Sequence, residues 1–202
     1  MASVLLYYAH PGHRHSHVNQ AMYDAAATVE GITRVDLYAT YPRQDINSDR
    51  EQALLLDHDI ILFQHPLFWY SAPSLIKEWI DLVLEHGFAY GAGGDRLKGK
   101  ILMQAITTAG SAEAYTTEGY QHFPLRTFLT PMEQTARLCK MRYGAPYVLH
   151  SALRAPEAGA VAPHVAGYVD LLRRLRDETY DFDAADALGQ VQADTLPFKE
   201  GA

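Results

Sequence analysis

Four histidines, His10, His13, His15 and His17, fall within eight positions of the stretch VLLYYAHPGHRHSHVNQAM, residues 4–22. A zinc site is the first chemistry to test, and it asks for two histidines at i and i+4 on one helix, or a nearby thiolate or carboxylate. These four instead straddle a turn containing Pro11 and Gly12, and no cysteine or acid precedes Asp24. An anion suits the stretch better. A helix that opens after such a turn presents unpaired N–H groups and the positive end of its dipole. Ser16 adds a hydroxyl, Asn19 an amide, and His10 and His17 ring N–H donors. Two readings stand level here: a phosphate cradle built without the glycines of a P-loop, or a Ser16 helix cap followed by solvated histidines.

A second stretch, QHPLFWYSAPSLIKEWIDLVLEHGFAYG at residues 64–91, places Pro66, Leu67, Phe68, Trp69 and Tyr70 where a strand should give way to polar turn residues. Rings at such an edge need a partner, and a planar heterocycle would satisfy them by stacking while backbone groups read its rim. The plainer alternative is that Trp69 and Tyr70 pack under the following helix. The third stretch, TTAGSAEAYTTEGYQHF at residues 107–123, begins with the small residues Thr107, Thr108, Ala109 and Gly110, which let backbone approach a flat ligand. Farther along it stand Tyr115, Tyr120 and His122, which are either donors toward developing negative charge or idle surface groups.

These three stretches must be brought together by a frame, and the apolar runs supply one. Val4–Ala9, Ile32–Tyr38, Ile60–Gln64, Ile101–Thr107 and Tyr147–His150 read as strands, the first a continuous run of the kind buried on both faces of a parallel sheet. Helical patterns alternate with them, over Ser16–Val29, Asp49–Leu56, Pro73–Gly87, Arg126–Cys139 and His164–Glu178. The alternation predicts an α/β doubly wound parallel sheet of five strands. In the flavodoxin-type order 2-1-3-4-5 all three loops lie on the carboxyl edge, where such folds bind ligands. The 202 residues suit one domain, 1–178, followed by an acidic, alanine-rich extension, 179–202, read as an arm over a neighbour or a loosely ordered tail.

The net charge of -7, with no basic cluster beyond Arg173, Arg174 and Arg176, argues against a nucleic-acid partner. Cys139 is the single cysteine, so no internal disulfide is available, and the start lacks a basic leader; a cytoplasmic protein is the expectation. The most apolar stretch, Ile60–Tyr70, is cut by Gln64, His65 and Pro66 and is too short for the roughly 20 residues of a membrane span.

The blocks YAHPGHRHSHVN, QHPLFWYSAPSLIKEWIDLVLEHGFAYGAGGDRLKGK and TTAG, in this order and spacing, resemble the flavodoxin-like NAD(P)H:quinone oxidoreductases, most closely the ancillary flavoproteins of glutathione-regulated potassium-efflux systems. The resemblance runs to about Arg176. It implies FMN, with FAD as the alternative, bound between the subunits of a homodimer, and NAD(P)H as reductant. It implies that His10, Ser16, His17, Val18 and Asn19 hold the phosphate end. Pro66, Leu67, Phe68, Trp69 and Tyr70 would line the isoalloxazine, and Thr107, Thr108, Ala109 and Gly110 would border its pyrimidine side. The family's tyrosine of the charge relay falls on Tyr115, whereas its histidine falls on Gln121, one residue before His122, and the family usually carries glycine where Ala109 stands. The implied activity is a ping-pong two-electron reduction of a quinone or another small electrophilic acceptor. The rival reading is a flavin-binding regulatory subunit of a potassium-efflux antiporter, peripheral at the inner membrane through that partner. A zinc hydrolase built on the histidine loop comes third.

Overall fold

The computed structural model describes residues 1–12 and 16–199. His13 and His15 of the histidine stretch lie outside the described residues. The chain runs β1 (Val4–Tyr8), α1 (His17–Ala26), β2 (Ile32–Asp36), α2 (Leu37–Thr40), α3 (Ser48–Asp57), β3 (Ile60–Pro66), α4 (Ser74–Val83), β4 (Ile101–Thr107), α5 (Leu125–Phe128), α6 (Thr130–Leu138), β5 (Arg142–Tyr143), β6 (Tyr147–Leu149), α7 (Val161–Arg176) and α8 (Phe182–Leu188). The strands pair in parallel in the order β2-β1-β3-β4-β5, with β6 also on β4. This is the flavodoxin-like order expected from the alternation of apolar runs and helical stripes.

Side-chain alternation along β1 explains why its whole run is apolar: Leu5 and Tyr7 enter one core while Val4 and Leu6 enter the other. The first core packs α3, α4 and α6 through Leu55, Ile76, Trp79, Met132 and Ala136. The second packs α1 and α7 through Met22, Ala26, Tyr168 and Leu172. Helices therefore cover both faces, which leaves the two edges running across the strand ends for function.

Several boundaries differ from the sequence expectation, each for a local reason. The second strand stops at Asp36 because its carboxylate accepts from Ala39 N at 3.0 Å and caps α2. The helix expected over Arg126–Cys139 is two pieces, since Pro131 in the first turn of α6 lacks the N–H that a continuous helix needs. The fifth strand is likewise divided. Leu102 pairs with Tyr143 and Ala105 with Tyr147, so one extra residue bulges around Gly144, Ala145 and Pro146. The helix from Ser74 ends at Val83 and not at Gly87, which sits in the following turn at φ 85°.

The segment after Glu178 is neither an arm over a neighbour nor a loose tail. Its apolar residues Tyr180, Ala185 and Val191 are buried in the α1/α7 core. Val148 N donates to Val191 O and Val191 N to Pro146 O, each at 2.9 Å, so the segment adds itself beside β6. Arg142 pairs with Asp183 and Asp186 of α8, which uses the acidic composition that had suggested a solvated extension. Among the described residues no helix is long and apolar enough to cross a membrane.

Candidate functional site

The carboxyl ends of β1, β3, β4 and β6 frame a cavity of about 250 Å³. The floor is polar and interlocked. Asn19 Nδ2 donates to Thr107 Oγ1 at 2.7 Å, Gln64 Nε2 donates to Asn19 O at 2.6 Å, and the Tyr168 hydroxyl donates to Gln64 Oε1 at 3.1 Å. All four residues are buried, so α1, β3, β4 and α7 are held in one register by bonds shielded from water. Leu67 N donates to Thr107 O at 2.8 Å and Thr108 N to Leu149 O at 2.9 Å, continuing the sheet past its strands. The backbone of the loops is thereby fixed before any ligand arrives.

At one end of the cavity stand His10, Ser16, His17, Val18 and Asn19, from the β1–α1 turn and the first turn of α1. Ser16 occupies the cap position of α1, yet its hydroxyl makes no cap hydrogen bond among the described residues. Its Oγ lies instead 3.0 Å from the Tyr8 hydroxyl. The Ser16-cap reading is thus set aside, and the first N–H groups of α1 keep their capacity to bind an anion. Asn19 Oδ1 is buried without a partner among the described residues, an acceptor that a ligand hydroxyl would satisfy. The His10 ring accepts from Gly12 N at 3.1 Å and meets Phe68 edge-on at 5.6 Å, joining the first loop to the second.

Along the sides, Pro66, Leu67 and Phe68 face Thr107, Thr108 and Ala109. Trp69 and Tyr70 do not line the cavity. Phe68 and Ser71 exchange backbone hydrogen bonds at 2.9 and 3.0 Å, leaving Trp69 and Tyr70 as the two central residues of a tight turn with φ of 49° and 63°. Asn-Gly is the usual occupant of such a turn, and bulky side chains there are strained. Trp69 is 93% exposed and Tyr70 48% exposed, so neither packs under α4. Beneath the turn a buried chain of bonds runs from the Tyr143 hydroxyl to Gln104 Oε1 (2.5 Å) and from Gln104 Nε2 to His65 Nε2 (2.8 Å), while His65 Nδ1 donates to Pro66 O (2.9 Å). Burial pushes His65 down to about 4, which keeps the ring neutral and able to accept from Gln104.

Gly110, Tyr115 and His122 also lie off the cavity wall. Tyr115 is buried against Gly110, where an added Cβ would stand 3.0 Å from its ring, and burial raises its hydroxyl pKa. His122 is exposed, at φ 61°. The structure contributes three wall residues not singled out in the sequence, Ala152, Leu153 and Pro156, from the loop after β6. Apolar and without reactive groups, they carry no chemical signal; only their place on the same sheet edge could have pointed to them. Among the described residues no group of three histidines, cysteines or carboxylates is placed to hold a metal ion.

Residues 2–172 match the flavodoxin-like fold family. The glutathione-regulated potassium-efflux system ancillary protein KefG of Shigella flexneri is 42% identical over 171 residues, 85% of this chain and 93% of that protein. The general stress protein 14 of Treponema denticola, solved in complex with FMN, superposes with a TM-score of 0.77 at 32% identity, covering 84% of this chain and 99% of that one. An NADPH-quinone reductase from P. pentosaceus superposes with a TM-score of 0.73 at 27% identity, covering 84% and 96%.

Proposed function

This chain belongs to the flavodoxin-like fold family, and from that premise we propose that it is an oxidoreductase that binds FMN and reduces a quinone or similar electrophile with NAD(P)H. The observation that carries the reading is the cavity itself, which joins a helix start and an Asn19 Oδ1 that have no side-chain cap and no partner among the described residues to a slot between the Pro66–Phe68 and Thr107–Ala109 walls. That donor set fits a phosphorylated, hydroxylated chain leading to a flat ring. His10, Ser16, His17, Val18 and Asn19 would hold the phosphate and ribityl part. Leu67 and Phe68 would cover the ring, with Thr107, Thr108 and Ala109 along its pyrimidine side and Gly110 behind them. Bound flavin would supply the hydride chemistry, accepting two electrons from NAD(P)H and giving them to the acceptor. The residues of the chain exclude water from the slot and aim donors at the edge where charge gathers, with one nucleotide-facing surface serving reductant and acceptor in turn. Neither Tyr115, buried behind Gly110, nor exposed His122 stands on the wall; of the two, Tyr115, which packs against the Thr108–Gly110 turn, is the one we assign to that task, across that turn.

The exposed rings of Trp69 and Tyr70, which follow the wall residue Phe68, support a second copy of the chain closing over the cavity as a homodimer. Titration of the purified protein with FMN and with FAD, followed by visible absorbance and calorimetry, tests the reading. A yellow complex that oxidises NAD(P)H when a quinone is added supports it. Protein that stays colourless and registers no heat with either flavin overturns it.

The likeness to an ancillary protein of a potassium-efflux system favours a second role, docking on a membrane antiporter. A variant with flavin bound and turnover abolished separates the two roles. If it still changes potassium flux through the antiporter, regulation does not depend on catalysis.

A further inference from the structure

His150 directly follows β6, beside the Thr107–Ala109 wall, and the segment that follows α8 returns to meet it. Val191 bridges Tyr147 in parallel, which sets Gln190 against the imidazole. Gln190 Nε2 lies 3.2 Å from His150 Nε2, and His150 Nδ1 lies 3.1 Å from Thr108 Oγ1. The Thr108 hydroxyl donates to Gly110 O at 2.8 Å. These distances set one direction for the whole chain of bonds. A hydroxyl has a single proton, and Thr108 gives it to Gly110, so Thr108 must accept from His150 Nδ1–H. The other ring nitrogen then accepts from Gln190.

We infer that His150, braced by Gln190, is a positioning residue that holds the Thr108–Gly110 turn in the shape the ligand ring meets. The inference rests on the flavin reading above. Thr108 is part of the cavity wall, and the same turn is pinned from the backbone by Ser151 N to Gly110 O (2.9 Å) and Ala152 N to Thr108 O (2.8 Å). Without the imidazole, the Thr108 hydroxyl keeps its bond to Gly110 O and loses the donor that reaches it from the end of β6. The Tyr115 ring lies against His150 with centroids 5.8 Å apart, so the histidine also touches the residue assigned as donor. The charged group that acts on the ring is Glu113, which opposes the lowering imposed by burial. Gln190 lies beyond the 2–172 span of the family match, so this chain supports its site with a segment outside that match.

The test uses the full chain with FMN and three variants. His150→Phe keeps the ring volume and removes both nitrogens; His150→Asn restores a donor near Nδ1; Gln190→Ala removes the brace alone. We expect His150→Phe to weaken FMN binding about tenfold, the scale of one lost hydrogen bond, and to move the midpoint potential of the bound flavin. His150→Asn should recover most of both, and Gln190→Ala should shift both the same way by less. If His150→Phe does not fold, Gln190→Ala alone decides. Binding within twofold of the parent chain and an unmoved potential in the folded variants overturn the inference and leave the flavin reading intact. A parent chain that binds no flavin overturns both.

Discussion

Asn19 on α1 donates its side-chain N–H to Thr107 Oγ1 at the end of β4, a 2.7 Å bond between buried groups 88 residues apart in sequence. It ties the proposed phosphate end of the cavity to its pyrimidine wall. Thr107→Val keeps the shape and removes the acceptor, so the Asn19 amide would be buried with one N–H unsatisfied. We expect a stability loss of about 1–3 kcal/mol in urea denaturation of the ligand-free protein, together with weaker FMN binding. Unchanged stability would mean that water or a shifted Asn19 replaces the bond.

The turn carrying Trp69 and Tyr70 holds two bulky residues at positive φ while exposing them. Strain of this kind, on the order of 1–3 kcal/mol per residue, persists where the site uses it. The double substitution Trp69→Asn, Tyr70→Gly matches the residues to the turn. Thermal unfolding of the monomer should shift upward, while quinone turnover falls and the dimer weakens in sedimentation. A variant equally active and equally dimeric would show that the exposed rings serve neither role.

Tyr115→Phe tests the assigned donor. Loss of one donor toward developing charge is worth roughly 2.7–4 kcal/mol, about 10²–10³ in kcat. The ring still packs against Phe128 and His150, so flavin affinity should stay close to the parent value. Single-turnover reduction followed by stopped flow reads the difference, and identical rates would remove Tyr115 from the reaction.

Much of this site is legible in the residues because its chemistry is written in local types. Histidines beside a helix start, rings at a strand end and the small run Thr107–Gly110 each stand out against their surroundings, and sheet order alone brings them to one edge. What escaped was decided by tertiary contact. Ala152, Leu153 and Pro156 are ordinary loop residues until the topology sets them on the wall. The segment after Glu178 looks solvated because Tyr180, Ala185 and Val191 are few among its acids, yet those three reach the core and Arg142 absorbs two of the charges. The divided fifth strand had a visible cue in Pro146, whose missing N–H breaks a parallel ladder.

Glu51 shows how a polar residue can anchor the apolar core that positions these loops. Fully buried, it accepts from the Tyr7 hydroxyl (2.5 Å), the Tyr41 hydroxyl (2.6 Å) and Trp79 Nε1 (2.9 Å), and it pairs with Arg50. Burial and the neighbouring carboxylate raise the Tyr7 hydroxyl pKa far above its usual value, so Tyr7 remains a donor. Glu51→Gln sets an amide N–H against one of these donors. We expect a loss of about 3–5 kcal/mol by chemical denaturation, the range for a broken buried charge network; a loss under about 1 kcal/mol would show that the network rearranges freely.

His164, in the first turns of α7, gives the stability of the fold a pH dependence of definite sign. Its ring stacks on Tyr147 with centroids 4.5 Å apart, and Nε2 is buried with no partner among the described residues. Burial lowers its pKa from the ordinary 6.5 to about 4. The unfolded chain therefore binds a proton at this residue between those two values and the folded chain does not, so stability falls as pH drops through that window. One such group changes the unfolding free energy by about 1.4 kcal/mol per pH unit inside it. His65, lowered to about 4 by its own burial, adds a second contribution of the same sign. His164→Phe keeps the stacking on Tyr147, removes the orphan nitrogen and removes one of these protons. Urea titrations at several values between pH 4 and pH 6.5 should show a more stable variant with a shallower slope, by about one proton's worth. An unchanged slope would mean that His164 is protonated in the folded chain, with a partner for Nε2 that forms as the pH falls.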